Sequence, residues 1–185
     1  MSKLARWGFA IALLPLAACN PNASTPQAST VPMPQTLPTV SAQDQNFVQQ
    51  AASSDMFEIR SSQLALQRSR SPAVRRFAQR MIADHTKSSQ QLAAMAPAKG
   101  IVLPSDLDPE QQRMMAALDN TRRIFDSEYF RQQAFAHQAA VAAYQTEISS
   151  GYDADLRGFA QQTLPIIQDH LAMAERMRQG PPGRR

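Results

Sequence analysis

Four long segments repeat apolar side chains every three or four positions, which is the spacing that places side chains on one face of an α-helix. The segments cover residues 41–69, 72–97, 126–151 and 153–179. The composition agrees with this pattern, because six Gly, three Tyr and one Trp leave few turn and strand formers, whereas Ala, Gln, Leu, Met and Arg are abundant. The sequence therefore predicts an all-α protein.

The connections between the segments indicate how the helices are joined. Ser71-Pro72 forms a tight turn into the second segment, and Gly151 closes the third just before the fourth begins. A longer connection between the second and third segments holds a short helix over residues 109–122, and Asp126 is the expected N-cap of the third segment. We therefore expect a ferritin-like four-helix bundle with a short extra helix in its crossover. Pro165 predicts a kink or a new helix start within the fourth segment.

The chain opens with the features of a bacterial secretion signal. Lys3 and Arg6 precede an apolar run over residues 7–15, which is too short to span a bilayer. The run is followed by Leu16-Ala17-Ala18-Cys19, which resembles the lipobox of bacterial lipoproteins. Because Cys19 is the only cysteine and stands at the acylated position, we expect it to carry lipid, palmitate included, that anchors the chain to a membrane.

This signal sets the expected domain organisation and location. Residues 1–18 are the predicted signal peptide, 19–40 a lipidated Pro/Ser/Thr-rich tether, 41–178 the helical bundle and 179–185 a disordered tail. By resemblance to the sorting rule of Gram-negative lipoproteins, Asn20 after the cysteine favours the outer membrane. We expect a periplasm-facing protein after Sec-type export, a location that excludes nucleic acid as a partner.

All three histidines of the chain fall on the apolar faces of the predicted helices. A rotation of about 100° per residue places His85, His137 and His170 within these faces, and it places Glu58 on the apolar face of the first segment. A rise of about 1.5 Å per residue brings all four side chains near the middle of the bundle. The cluster therefore predicts a site for one transition-metal ion, either Fe, Zn or Cu.

Neighbouring residues refine this metal hypothesis. Asp84 and Asp169 each precede a histidine and point about 100° away from it, so we expect them to hydrogen-bond to ligands or to form salt bridges. Met81, Met173 and Met177 flank the histidines at helical spacing. They could indicate Cu(I), although such a stripe is also typical of core packing.

The same residues admit an interpretation without metal. The imidazoles could form a buried network with carboxylates, Tyr144 or Thr163 that fixes the helix register. A ferritin-type di-iron centre is disfavoured, because Ile82 and Ile167 stand where that site needs glutamates three residues before histidines.

A run of arginines surrounds the first tight turn. No acidic residue lies between Ile59 and Ala83, so this end of the bundle is locally positive. It could bind an anionic envelope polymer or another envelope protein, or it could be a solvated helix end. The basic patch comprises Arg68, Arg70, Arg75, Arg76 and Arg80.

Several of these motifs resemble one bacterial family. They are Phe47-Val48-x-x-Ala51-Ala52, Glu58, Phe77 to His85 with Asp84-His85 at its end, Phe125-Asp126-x-x-Tyr129, His137, and Leu164-Pro165 with His170-Leu171. Together they resemble the domain-of-unknown-function family 4142 over about residues 41–177. The resemblance implies a ferritin-like bundle and an exported protein of the outer membrane or periplasm, and it carries no established activity.

The expected function follows from these features. The sequence holds no recognisable hydrolase triad, phosphate loop or paired acid-base carboxylates, so no hydrolytic activity is predicted. We expect a non-catalytic binding or stress-related role in the envelope, with transition-metal binding, storage or oxidation as the alternative.

Overall fold

The computed structural model describes residues 40–179, and the predicted signal peptide, most of the tether and residues 180–185 lie outside the described range. Every regular element in this range is helical. The elements are α1 (Ala42–Arg68), α2 (Pro72–Met95), a short 3-10 turn (Pro97–Lys99), α3 (Pro109–Asn120), α4 (Phe125–Ser150) and α5 (Ala154–Gln179). The predicted all-α architecture with a short helix in the crossover is confirmed.

Side-chain caps define several of the helix starts. The Ser41 hydroxyl accepts from the backbone N–H of Asp44, and the Asp108 carboxylate accepts from the N–H of Gln111 in a reciprocal capping box. The prediction that Asp126 caps α4 is wrong: the helix begins one residue earlier, at Phe125, without a side-chain cap. Asp126 instead adds negative charge to the first helical turn, where the helix dipole favours it.

The helix α5 runs through Pro165 without interruption, so the expected new start at this residue is wrong. Proline supplies no N–H to the carbonyl of Gln161, one turn earlier. Gln161 and Pro165 are both exposed, so water can satisfy that carbonyl.

Gln179 is the last described residue of α5, one position beyond the predicted end of the bundle.

The four long helices form a bundle with one crossover. Three-residue turns join α1 to α2 and α4 to α5, so the helices of each pair run antiparallel. Residues 96–124 carry the chain back along the length of the bundle, since α4 starts beside the end of α1. The direction of the helices is thus up, down, down and up, which is the ferritin-like connectivity that the sequence predicts.

Two apolar clusters occupy the two ends of the bundle. One contains Phe47, Tyr144 and Phe159, and the other contains Phe77, Tyr129 and Phe130. In each long helix the chain passes from one cluster to the other, and buried polar side chains lie at the level between them. This polar layer comprises Asp55, Glu58, His85, His137 and His170.

A third apolar cluster lies under the crossover. Phe57 of α1 is fully buried against Leu107 and Met114, so α1 has a second buried face.

Within residues 40–179, none of the helices combines the length and the apolar character needed to cross a bilayer.

Candidate metal centre

Three histidines from three different helices converge in the polar layer. His85 lies on α2, His137 on α4 and His170 on α5, and all three are buried. Their ring centroids are 5.4–5.5 Å apart in every pair. One ring nitrogen of each histidine lies within 4.8 Å of one ring nitrogen of each of the others. The sequence prediction that these three side chains meet at one level therefore agrees with the structure.

In each histidine one ring nitrogen donates a hydrogen bond to an acceptor. Nδ1–H of His85 donates to Oδ1 of Asp55 over 2.8 Å. Nδ1–H of His137 donates to its own helix, at the backbone oxygen of Gln133, also over 2.8 Å. Nε2–H of His170 donates to Oδ2 of Asp84 over 2.9 Å. Because a carboxylate or carbonyl oxygen can only accept, these bonds fix the tautomer of each neutral ring.

In the neutral form of each ring, the remaining nitrogen carries a free lone pair. These nitrogens are Nε2 of His85, Nε2 of His137 and Nδ1 of His170, and each is buried with no hydrogen-bond partner among the described residues. A buried polar atom without a partner costs about 1–3 kcal/mol. Three such atoms lie at one level, and a cation bound between them would satisfy all three.

The electrostatics of the layer favour neutral imidazoles at two of the three positions. Burial and the positive charge at His85 lower the pKa of His170 to about 4, against the opposing hydrogen bond to Asp84. Burial and the charges at His85 and His170 also hold the pKa of His137 well below its ordinary value. Burial disfavours the imidazolium of His85 as well, but the hydrogen bond and charge of Asp55 outweigh it and raise the pKa of His85. A cation would therefore compete with a proton mainly at His85.

Glu58 lies beside the three histidines but does not join the group that could share one ion. Its Oε1 is 3.5 Å from Nδ1 of His137, the nitrogen whose hydrogen already goes to Gln133. Neither carboxyl oxygen of Glu58 has a hydrogen-bond partner in the described chain. Burial raises the pKa of Glu58 to about 7, against the positive charge at His85. Glu58 is thus a buried carboxyl group next to the ligand set, whereas the sequence placed it within the set.

The carboxylates that contact the imidazoles differ in part from those expected. Asp84 bonds to His170 across the bundle, although it is the sequence neighbour of His85. Asp169 contacts no histidine; its Oδ2 pairs with Nη2 of Arg80 at 2.8 Å on the surface. Asp55, which the sequence analysis did not select, holds His85. Its spacing of three residues from Glu58 on the same helix is the signal that could have identified it.

The helices α2 and α5 are more widely spaced than the other neighbouring pairs of long helices. Close Cα approaches join α1 to α2, α1 to α4 and α4 to α5, whereas α2 and α5 make almost none. A cleft of about 180 Å³ lies between α2 and α5. We call it the α2–α5 cleft; its lining includes His85, Lys87, Ser88, Thr163 and His170. The cleft therefore adjoins two of the three histidines, whose unpartnered nitrogens are themselves buried.

Most of the predicted basic patch is engaged within the molecule. Arg68 pairs with Asp119, Arg75 donates to backbone oxygens of residues 66 and 69, and Arg80 pairs with Asp84 and Asp169. Arg70 and Arg76 are exposed and form no ion pair among the described residues. The net positive surface is therefore smaller than the sequence suggests.

A family model described as a domain of unknown function, DUF4142, matches residues 29–177. The chain belongs to the DUF4142 family. This confirms the resemblance drawn from the sequence motifs. No protein of the curated set matches the chain significantly.

Two solved structures share the fold. A DUF305 fragment from Deinococcus radiodurans is similar with a TM-score of 0.65 and 21% identity, covering 75% of this chain and 96% of that one. CopM in its Cu(II)-bound form is similar with a TM-score of 0.63 and 18% identity, covering 74% of this chain and 95% of that one. At these identities the likeness concerns the fold of the bundle.

Proposed function

We propose that the protein binds one transition-metal ion through His85, His137 and His170. The observation that carries the proposal is the set of three buried, unpartnered ring nitrogens, one on each histidine, in rings whose other nitrogen is hydrogen-bonded. Metal-ligating histidines are held in the same way, with the second nitrogen on a carboxylate or backbone carbonyl. An all-imidazole set suits Zn, Cu, Fe or Ni.

The spacing of the rings is compatible with such an ion after a small adjustment. Bonds of about 2.0–2.1 Å in tetrahedral geometry place ligand nitrogens about 3.3 Å apart. One ring nitrogen of each histidine lies within 4.8 Å of one on each of the other two, so ligand nitrogens at those positions need to approach by about 1.5 Å or less. The similar fold of CopM, which was solved in a Cu(II)-bound form, makes Cu(II) the first ion to test.

The interpretation as a purely structural network explains less of the geometry. It accounts for the bonds of His85 and His170 to carboxylates, but it leaves one nitrogen of every ring without a partner. Neither Tyr144 nor Thr163 hydrogen-bonds to a histidine in the described structure. A di-iron centre finds little support too, since the group that could share an ion within residues 40–179 is made of histidines alone.

Metal titration of the purified chain tests the proposal. Because the histidines of the site are the only three in the chain, purification must avoid a polyhistidine tag. After chelation, we expect one equivalent of Cu(II), or of Zn(II), to bind. An ion at about 100 times its dissociation constant should raise the free energy of unfolding by about 2.7 kcal/mol. Elemental analysis and thermal unfolding measure both effects.

His137→Leu and Gln138→Leu form a matched pair for this experiment. His137 donates only to a carbonyl of its own helix, so its replacement should leave the fold intact and abolish the metal-dependent stabilisation. Gln138 lies at the next position, is exposed, and contacts Glu175 on the surface. Its variant should bind the ion like the parent. If the parent binds no ion, or if His137→Leu binds as well as the parent, the proposal fails.

We also propose that the metal-binding domain is lipid-anchored at Cys19 and faces the periplasm from the outer membrane. The support is the Leu16-Ala17-Ala18-Cys19 motif after a charged and apolar leader. Cells grown with labelled palmitate should label the parent chain and not Cys19→Ser, which should leave the membrane fraction. Equal labelling of both chains would contradict the anchor.

A further inference from the structure

We propose that a second groove, between the start of α2 and the end of α5, binds an alkyl carboxylate, that is, one short apolar chain that ends in a carboxylate. We call it the arginine groove. Its lining includes Arg76, Phe77 and Arg80 of α2 and Met173, Arg176 and Met177 of α5. It lies nearer the start of α2 than the α2–α5 cleft does, and no histidine lines it. The inference is therefore independent of the proposed metal site.

Three guanidinium groups and no carboxyl group line the arginine groove. Arg76 stands on the α2 side and Arg176 on the α5 side, and both are exposed. Neither forms an ion pair within residues 40–179. Because arginine presents several donors in a planar fork that matches a carboxylate, an anionic head group between the two walls would be bound by charge-assisted hydrogen bonds.

The carboxyl groups next to the groove are already engaged. Oδ2 of Asp169 lies 2.8 Å from Nη2 of Arg80. Oδ2 of Asp84 accepts from Nε2–H of His170 and lies 3.4 Å from Nε of Arg80. Glu175 is directed toward α4, where its Oε1 accepts from the Gln138 amide. These contacts use Arg80 but leave Arg76 and Arg176 without a counter-charge, so the groove remains positive.

Apolar side chains form the base of the arginine groove. Phe77 is 6% exposed and belongs to the apolar cluster at this end of the bundle, and Met173 packs against the same cluster. Met177 is 39% exposed, so much of its surface is in water. The widely spaced α2 and α5 leave this apolar surface uncovered. An alkyl chain that lies on it would be removed from water together with the methionine, which favours binding.

The composition and size of the groove identify the class of ligand. Its side chains offer donors and apolar surface, but no carboxyl, amide or hydroxyl oxygen that could accept from the N–H groups of a peptide. Its volume of about 330 Å³ corresponds to about ten water-sized groups of about 30 Å³ each, which suits an eight-carbon carboxylate. Residues 180–185, which follow α5, contain two arginines and no acidic side chain, so their charge does not complement the groove.

Calorimetric titration of the metal-free chain with octanoate tests this inference. We expect one octanoate per chain. Octanol has the same alkyl chain without the charge and should bind at least about tenfold more weakly. Butyrate keeps the carboxylate but has four fewer methylene groups, and it should also bind at least about tenfold more weakly.

Arg176→Gln and Arg178→Gln form a matched pair for the charge. Both arginines are exposed in the last turn of α5, but only Arg176 lines the groove. Arg176→Gln should weaken octanoate binding about tenfold, and Arg178→Gln should weaken it by less than about twofold. Because both side chains are on the surface, circular dichroism and thermal unfolding should show the same fold in both variants.

A methyl NMR spectrum locates the bound chain. In the protein labelled at its methionine methyl groups, octanoate should shift the resonance that is missing from Met177→Leu. A parent chain that binds no octanoate, equal octanoate affinities in Arg176→Gln and Arg178→Gln, or a Met177 resonance that stays unchanged would overturn the inference. Tighter binding of an octaglutamate peptide than of octanoate would overturn it too, and would indicate an acidic peptide as the ligand.

Discussion

Replacing Asp55 by asparagine should weaken metal binding about 10- to 100-fold while leaving the bundle folded. The Asp55 carboxylate accepts from Nδ1–H of His85 and so fixes which nitrogen of the ring faces the ion. Its negative charge also increases the basicity of that ring. Asparagine has nearly the same shape and keeps one accepting oxygen, so the free energy of unfolding of the apo chain should change by less than about 2 kcal/mol. Titration of Cu(II) or Zn(II) into both chains measures the difference.

Asp169→Asn is the matched control for this prediction. Asp55 contacts His85 in space, whereas Asp169 only precedes His170 in the sequence. Asp169 contacts Arg80 on the surface and no imidazole. Its replacement should change the metal affinity by less than about twofold, as for an exposed ion pair. Equal losses in the two variants would mean that the affinity depends on overall negative charge and not on the hydrogen bond to His85.

Replacing Phe57 by alanine should lower the free energy of unfolding by about 3–5 kcal/mol, as for other fully buried phenylalanines. Phe57 is fully buried between α1 and the crossover, where it packs on Leu107 and Met114. The lost ring leaves a cavity that the helices can only partly close. This loss is a large share of the 5–15 kcal/mol by which domains of this kind are stable. Denaturant unfolding of the apo chain gives the value.

Phe135→Ala removes the same ring from α4, at a position that is 52% exposed. The expected loss there is less than about 1 kcal/mol, because much of the ring is already in water. A small loss at Phe57 as well would indicate that the crossover detaches easily from α1. The predicted metal site should be unaffected by either change, because neither ring belongs to the polar layer.

The helical periodicity was sufficient to predict the bundle and the burial of the histidines. His85, His137 and His170 each stand at the centre of an apolar stripe, and a helix that buries such a stripe must bury the histidine with it. Their common level followed from the rise per residue and from the two short turns, which set the register of each antiparallel pair. No long-range information was needed for these steps.

The residues that hold the histidines could not be assigned in the same way. A single apolar stripe identifies one buried face, but α1 is covered on one side by α2 and α4 and on another by the crossover. Asp55 and Phe57 are therefore buried although neither lies on the stripe through Phe47 and Ala65. Likewise, the choice of Asp84 and not Asp169 as partner of His170 depends on the distance between α2 and α5, which only tertiary packing sets.

The polar layer between the two apolar clusters also determines how the helices can align. Sliding any one helix by a single turn, about 5.4 Å, would carry its histidine or carboxylate into an apolar cluster. The residue to which it is hydrogen-bonded on the other helix would then be buried without that bond. A bundle with uninterrupted apolar stripes would tolerate such slips, whereas this one has a single alignment in which His85 meets Asp55 and His170 meets Asp84. The residues proposed to hold the ion thus also select one packing of the helices over its neighbours. Selection for metal binding and selection for a unique native state would act on the same few side chains.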